Sequence, residues 1–97
     1  MIKKRVLIID DEPDMTLLFK IVLEQNAFKV DSFNDPLAAL SNFKPDSYDL
    51  VILDIKMRNI DGSEFYRRIM KIDNKVKACF VFKDGKPRTP DQLLMGK

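Results

Sequence analysis

The pattern of hydrophobic and polar positions changes period several times along this chain. Val6 to Ile9 is an unbroken apolar run, as is Leu50 to Leu53, and "KVKACFVF" at 75–82 is nearly as apolar. Short runs without a polar face predict strands buried on both sides, here over 4–9, 49–54 and 75–82. "FKVDSF" (28–33) instead alternates Phe28, Val30 and Ser32 with Lys29, Asp31 and Phe33, which predicts an edge strand. Between the strands the period is helical. Pro13 suits the first turn of a helix over 13–26, and Asp11, Glu12 and Asp14 suit its positive end. Met15, Leu17, Leu18, Ile21 and Val22 give that helix a wide apolar face. Asp35-Pro36 is a cap and a first-turn proline, followed by a short helix with Leu37, Leu40 and Phe43 on one face and Pro45 just past its end. Glu64 to Ile72 reads as a third helix, with Phe65, Ile69 and Ile72 opposite Glu64, Arg67, Arg68 and Lys71.

Strands that alternate with helices imply an α/β fold, a parallel sheet with helices on its faces and right-handed crossovers. Three apolar strands must lie inside and the alternating one at an edge, so the expected strand order is 2-1-3-4. The chain then reverses direction between strands 1 and 3. Open α/β sheets bind ligands at the carboxyl ends of strands at such a point. Asp10 and Asp11 end strand 1, and Asp54 ends strand 3. Acids often end a strand and open a helix for no other reason than capping. Both features at one reversal point favour an acidic cluster with a function.

Three neighbouring carboxylates repel one another and hold protons unless a cation joins them. A hard divalent ion such as Mg²⁺ matches all-oxygen ligands. A carboxylate facing that ion can also act as a nucleophile toward phosphorus, giving an acyl phosphate. The chain has no histidine, which excludes His-based catalysis, a His phosphodonor and His-rich metal sites. Its single cysteine, Cys79, cannot form an internal disulfide and reads as a small core residue. Apolar residues are 45% and charged residues 33% of the 97 positions, as expected for one small soluble domain. No apolar stretch is long enough to cross a membrane, and the basic N-terminus is followed by too short an apolar segment for a signal peptide. A cytoplasmic location is expected. The net charge of +2 comes from the last fifteen residues, since 1–82 carry 13 Lys/Arg and 13 Asp/Glu, so nucleic-acid binding by this chain is not expected.

"VLIIDDEPD", followed some forty residues later by "DLVILDIKMRNIDGSEF", resembles the response-regulator receiver (CheY-like) domain of two-component signalling. The resemblance covers about residues 4–82. It implies a flavodoxin-like, doubly wound parallel sheet. It implies that Asp54 accepts a phosphoryl group from a histidine kinase or phosphotransfer protein. It implies that Asp10, Asp11, Asp54 and the backbone carbonyl of Lys56 hold Mg²⁺. Such a domain promotes its own phosphorylation and turns over no conventional substrate.

This chain departs from that pattern in three places. Met57-Arg58 stands where Met-Pro is usual. Phe82 falls where the family has a Thr or Ser that binds the phosphoryl group, so the switch position is lost. The family's fifth strand, which ends in a lysine, and its last helix are expected to be missing. The expected division is a receiver-like domain over 1–82 and an atypical tail over 83–97, where Thr89-Pro90 opens one helical turn through Leu93, Leu94 and Met95. Lys83 or Lys86 is a candidate for the missing lysine, against the plainer reading of a solvated turn. An uncovered strand 4 suggests a homodimer through that edge. Two further functions compete with the phosphoacceptor: a degenerate receiver-fold interaction module that no longer switches, and a Mg²⁺-dependent phosphohydrolase. The latter class commonly wants Asp-x-Asp at strand 1, where this chain has Asp10-Asp11-Glu12.

Overall fold

The computed structural model describes residues 4–82 and 86–90. Four strands, β1 (Arg5–Ile9), β2 (Lys29–Phe33), β3 (Leu50–Asp54) and β4 (Lys77–Val81), alternate with α1 (Pro13–Gln25), α2 (Pro36–Asn42) and α3 (Gly62–Ile72). These strands pair in parallel in the order 2-1-3-4, as the edge and interior patterns require. A two-residue strand, β5 (Pro87–Arg88), adds antiparallel to β4, with Phe80 opposite Arg88 and Val81 opposite Pro87. The edge expected to stand open thus carries a short partner from the segment assigned to the tail. The turn expected over Leu93 to Met95 and the candidate Lys83 lie outside the described residues.

The helix starts follow their local chemistry. The Asp35 side chain accepts the Leu37 N–H at 3.0 Å, and the Asp61 side chain accepts the Glu64 N–H at 2.8 Å, each satisfying an orphan donor of a first turn. At the other end of α1, Ala27 takes φ 69° while its N–H reaches the Glu24 carbonyl and the Phe28 N–H reaches that of Leu23. This is a Schellman closure with alanine where glycine is usual.

Strand alternation divides the core. Leu7, Ile9, Val51, Leu53 and Phe80 face α2 and α3, where they meet Ala39, Phe43, Phe65 and Ile69. Val6, Ile8 and Val30 face the other way, toward Phe19 and Leu23 of α1. The helices bury narrower stripes than their sequences suggest. In α1 the buried position is Thr16, with Phe19 and Leu23 half-buried, whereas Leu17, Leu18, Ile21 and Val22 are exposed. In α2, Pro36 and Ala39 are buried, as is Phe43 just past its end, and Leu37 is exposed; in α3, Ile72 is exposed. A helix lying on a flat sheet offers it only one row of side chains, at i, i+3 and i+7, so a broad apolar arc cannot all be covered by that contact.

Candidate functional site

Parallel pairing places Ile9 beside Leu53, so β1 and β3 run out together and deliver Asp10 and Asp54 side by side. One carboxylate oxygen each from Asp10, Asp11 and Asp54 lies within 4.8 Å of the others. The three aspartates, with Glu12, Met15, Lys56, Val81 and Phe82, line a pocket at the carboxyl ends of the strands. All four positions expected to bind metal or phosphoryl therefore share one pocket, and Phe82 forms part of its wall. A second cleft at the opposite end of the sheet is lined by Arg5, Asp46, Tyr48, Asp49, Asp73 and Lys77 among others; among the described residues, its three carboxylates do not converge as those of Asp10, Asp11 and Asp54 do.

Local hydrogen bonds set each acid. Asp10 is buried, and its Oδ1 accepts the Glu12 N–H at 2.9 Å. Its carbonyl accepts from Asn34 Nδ2 at 2.8 Å, and the same amide reaches Thr16 Oγ1 at 3.0 Å. Asn34, directly after β2, thus ties the ends of β1 and β2 to the first turn of α1. Asp54 Oδ1 accepts the Lys56 N–H at 3.2 Å. Behind Asp54, Gly62 comes so close to β3 that a Cβ there would stand 2.7 Å from the Asp54 carbonyl oxygen and 2.9 Å from Ile55 Cα. The Gly62 N–H also bonds the Ile55 carbonyl at 2.9 Å. The glycine of the "DG" pair is what lets the start of α3 seat against the strand that carries Asp54.

The electrostatics are those of crowded acids. Burial pushes the Asp10 carboxyl up to about 6; the Glu12 N–H opposes this, and the charges of Asp54, Glu12 and Asp11 add to it. Burial also raises Asp54, against the Lys56 N–H, with Asp11 adding repulsion. Arg58 Nε lies 3.6 Å from Asp11 Oδ2, so the residue in place of the usual proline puts a cation at the rim. Cys79 is half-buried, and its thiol is raised by that burial, which suits packing and not reactivity. The sequence reading did not anticipate the roles of Asn34, Thr16 and Arg58; each is an ordinary polar residue whose partner is remote in sequence or lies across a loop.

The family model for the response regulator receiver domain matches residues 6–95. The chain belongs to that family. Transcriptional regulatory protein TrcR of Mycobacterium tuberculosis is 36% identical over 77 residues, which is 79% of this chain and 30% of TrcR. Response regulator TrrA of Thermotoga maritima, solved in complex with Mg²⁺-BeF, is 36% identical, with a TM-score of 0.74 over 81% of this chain and 69% of that one. TrrA solved with histidine kinase ThkA aligns over 82% of this receiver domain and 69% of that chain, at 36% identity and a TM-score of 0.75. The receiver domain spans about a third of the length of curated relatives such as TrcR and GtcR (30% and 36%). No helix among its described residues is long and apolar enough to cross a membrane.

Proposed function

We propose that this receiver domain accepts a phosphoryl group on Asp54 with Mg²⁺ held by Asp10, Asp11, Asp54 and the Lys56 carbonyl. The observation that carries the reading is the meeting of three carboxylate oxygens within 4.8 Å at the carboxyl ends of β1 and β3. The donor set fits the ion: it is all oxygen, it carries excess negative charge, and no described histidine or cysteine joins it. Mg²⁺ bound there would offset the charge of the phosphoryl group in transfer. The chain's own part is positional. An Asp54 carboxylate oxygen attacks phosphorus and forms a P–O bond, while the P–N bond of a phosphohistidine donor breaks and its electron pair stays with the imidazole. The Lys56 N–H on Asp54 Oδ1 holds the attacking carboxylate in place. Asn34 and Thr16 hold the Asp10 segment that faces it.

The donor on this reading is a histidine kinase or a phosphotransfer protein, in keeping with the kinase complex of TrrA. No separate substrate is turned over. The test is intact mass after incubation with acetyl phosphate and Mg²⁺. The parent should gain one phosphoryl group and Asp54→Asn should gain none; equal gain in both would remove Asp54 from the reaction.

Phe82 favours a second reading, a receiver fold that binds partners without switching. It lines the pocket and offers no hydrogen bond to a phosphoryl oxygen. A parent that binds Mg²⁺ but takes up no phosphoryl group from any donor would select this alternative.

A further inference from the structure

Arg58, in the loop between β3 and α3, stands in place of the usual proline and reaches the acidic cluster. Its Nε lies 3.6 Å from Asp11 Oδ2, and Asp11 is one of the three aspartates whose oxygens converge within 4.8 Å. The loop fixes the Arg58 backbone from both sides. Met57 packs half-buried against the core, Ile60 is buried, and the Ile60 N–H donates to the Arg58 carbonyl at 2.9 Å. The Arg58 side chain is 80% exposed and that of Asp11 20%, so the cation approaches the cluster from the solvent side. The pocket lining carries four carboxylates, those of Asp10, Asp11, Glu12 and Asp54, against one ammonium, that of Lys56. The Arg58 guanidinium thus adds a second positive charge at the rim of a site with an excess of negative charge.

We propose that Arg58 is the counter-ion of the metal-free site: it holds Asp11 until Mg²⁺ displaces it, and thereby sets the Mg²⁺ concentration at which the pocket fills. The inference rests on Asp10, Asp11 and Asp54 being the metal site. A guanidinium and a divalent ion compete for one carboxylate, because both are drawn to its oxygens and the two cations repel each other. The competition is uneven. An exposed ion pair is weak, worth a factor of up to about five in an equilibrium constant. Arg58 therefore delays filling without preventing it. A proline at this position would carry no charge and would impose no such threshold. Salt separates this device from a purely structural role, since screening weakens an exposed charge contact and leaves loop packing unchanged.

Mg²⁺ titration of the full chain, followed by NMR of its N–H groups, tests the assignment. At low ionic strength Arg58→Gln should bind Mg²⁺ about three- to fivefold more tightly than the parent. The gain should fade at about 0.5 M sodium chloride, where exposed charges are screened. Arg58→Lys should stay close to the parent, because it keeps the charge. In the parent, the Arg58 Nε–H resonance should move on Mg²⁺ saturation toward its position in metal-free Asp11→Asn. Equal or weaker binding by Arg58→Gln at low salt overturns the proposal. So does a gain that persists at high salt, which would report a changed loop and not a removed charge. Arg58→Lys binding as tightly as Arg58→Gln overturns it as well, as does an Nε–H resonance that ignores Mg²⁺. If Arg58→Gln does not fold, Arg58→Ala takes its place under the same criteria. A parent that binds no Mg²⁺ overturns the metal-site reading and this inference together. A parent that binds Mg²⁺ and loses it in Asp11→Asn, with Arg58→Gln unchanged, removes Arg58 alone.

Discussion

Replacing Asp10 with asparagine should stabilise the metal-free domain while abolishing its response to Mg²⁺. Asp10 is buried, and its carboxyl is raised from 3.8 to about 6, first by that burial and then by the charges of Asp54, Glu12 and Asp11. A raised folded-state value means that the folded chain binds the proton more tightly than the unfolded chain does. The associated stability is fully present below pH 4 and is lost as pH rises through about 6. A displacement of about two pH units corresponds to about 3 kcal/mol at pH 8, on the scale of 1.36 kcal/mol per unit. Asparagine removes the charge and keeps an oxygen for the Glu12 N–H, which Asp10 Oδ1 accepts at 2.9 Å. It does not recover the whole amount, because a neutral amide is a weaker acceptor than a carboxylate. The expected gain at pH 8 is therefore about 1–3 kcal/mol, or at least several degrees in melting temperature for a domain of this size. Denaturant titrations in EDTA between pH 4 and pH 8 measure it. The gain should vanish at pH 4, where both side chains are neutral. Millimolar Mg²⁺ should then raise the parent's stability and leave the variant where it was. A variant no more stable than the parent at pH 8, or an advantage independent of pH, would refute the account of a strained acidic cluster.

Three further expectations concern single positions. Phe82→Thr places a hydroxyl on the pocket wall and should lengthen the life of the phosphorylated form, read as phosphoprotein mass against time; identical decay would show that this wall does not touch the phosphoryl group. Gly62→Ala would set a Cβ 2.7 Å from the Asp54 carbonyl oxygen, which should cost about 1–3 kcal/mol by denaturant titration and weaken Mg²⁺ binding through the displaced strand end. Ala27→Gly relieves a left-handed backbone at φ 69° in an exposed helix closure and should stabilise by about 1 kcal/mol, with no effect on Mg²⁺ affinity.

Hydropathy period alone determined much of this protein. Unbroken apolar runs place β1 and β3 inside the sheet, and the alternation of 28–33 places β2 at an edge, because only a strand with two covered faces can be apolar throughout. That order brings Asp10 and Asp54 together across forty-four positions of sequence, so the acidic cluster was legible before any coordinates. Tertiary structure decided what depends on a particular neighbour. Which arc of α1 is buried follows from how the helix lies on the sheet, and it selects Thr16, Phe19 and Leu23 from a stretch where Leu17, Leu18, Ile21 and Val22 are at least as apolar. The antiparallel β5, the Asn34 bridge between Asp10 and Thr16, the Arg58–Asp11 pair and the stacking of Arg88 on Phe82 are all encounters between segments with no shared period. A repeating pattern reports which side of an element meets water. A single polar or cationic contact has no pattern to report, because its energy resides in one distance that only the folded chain sets.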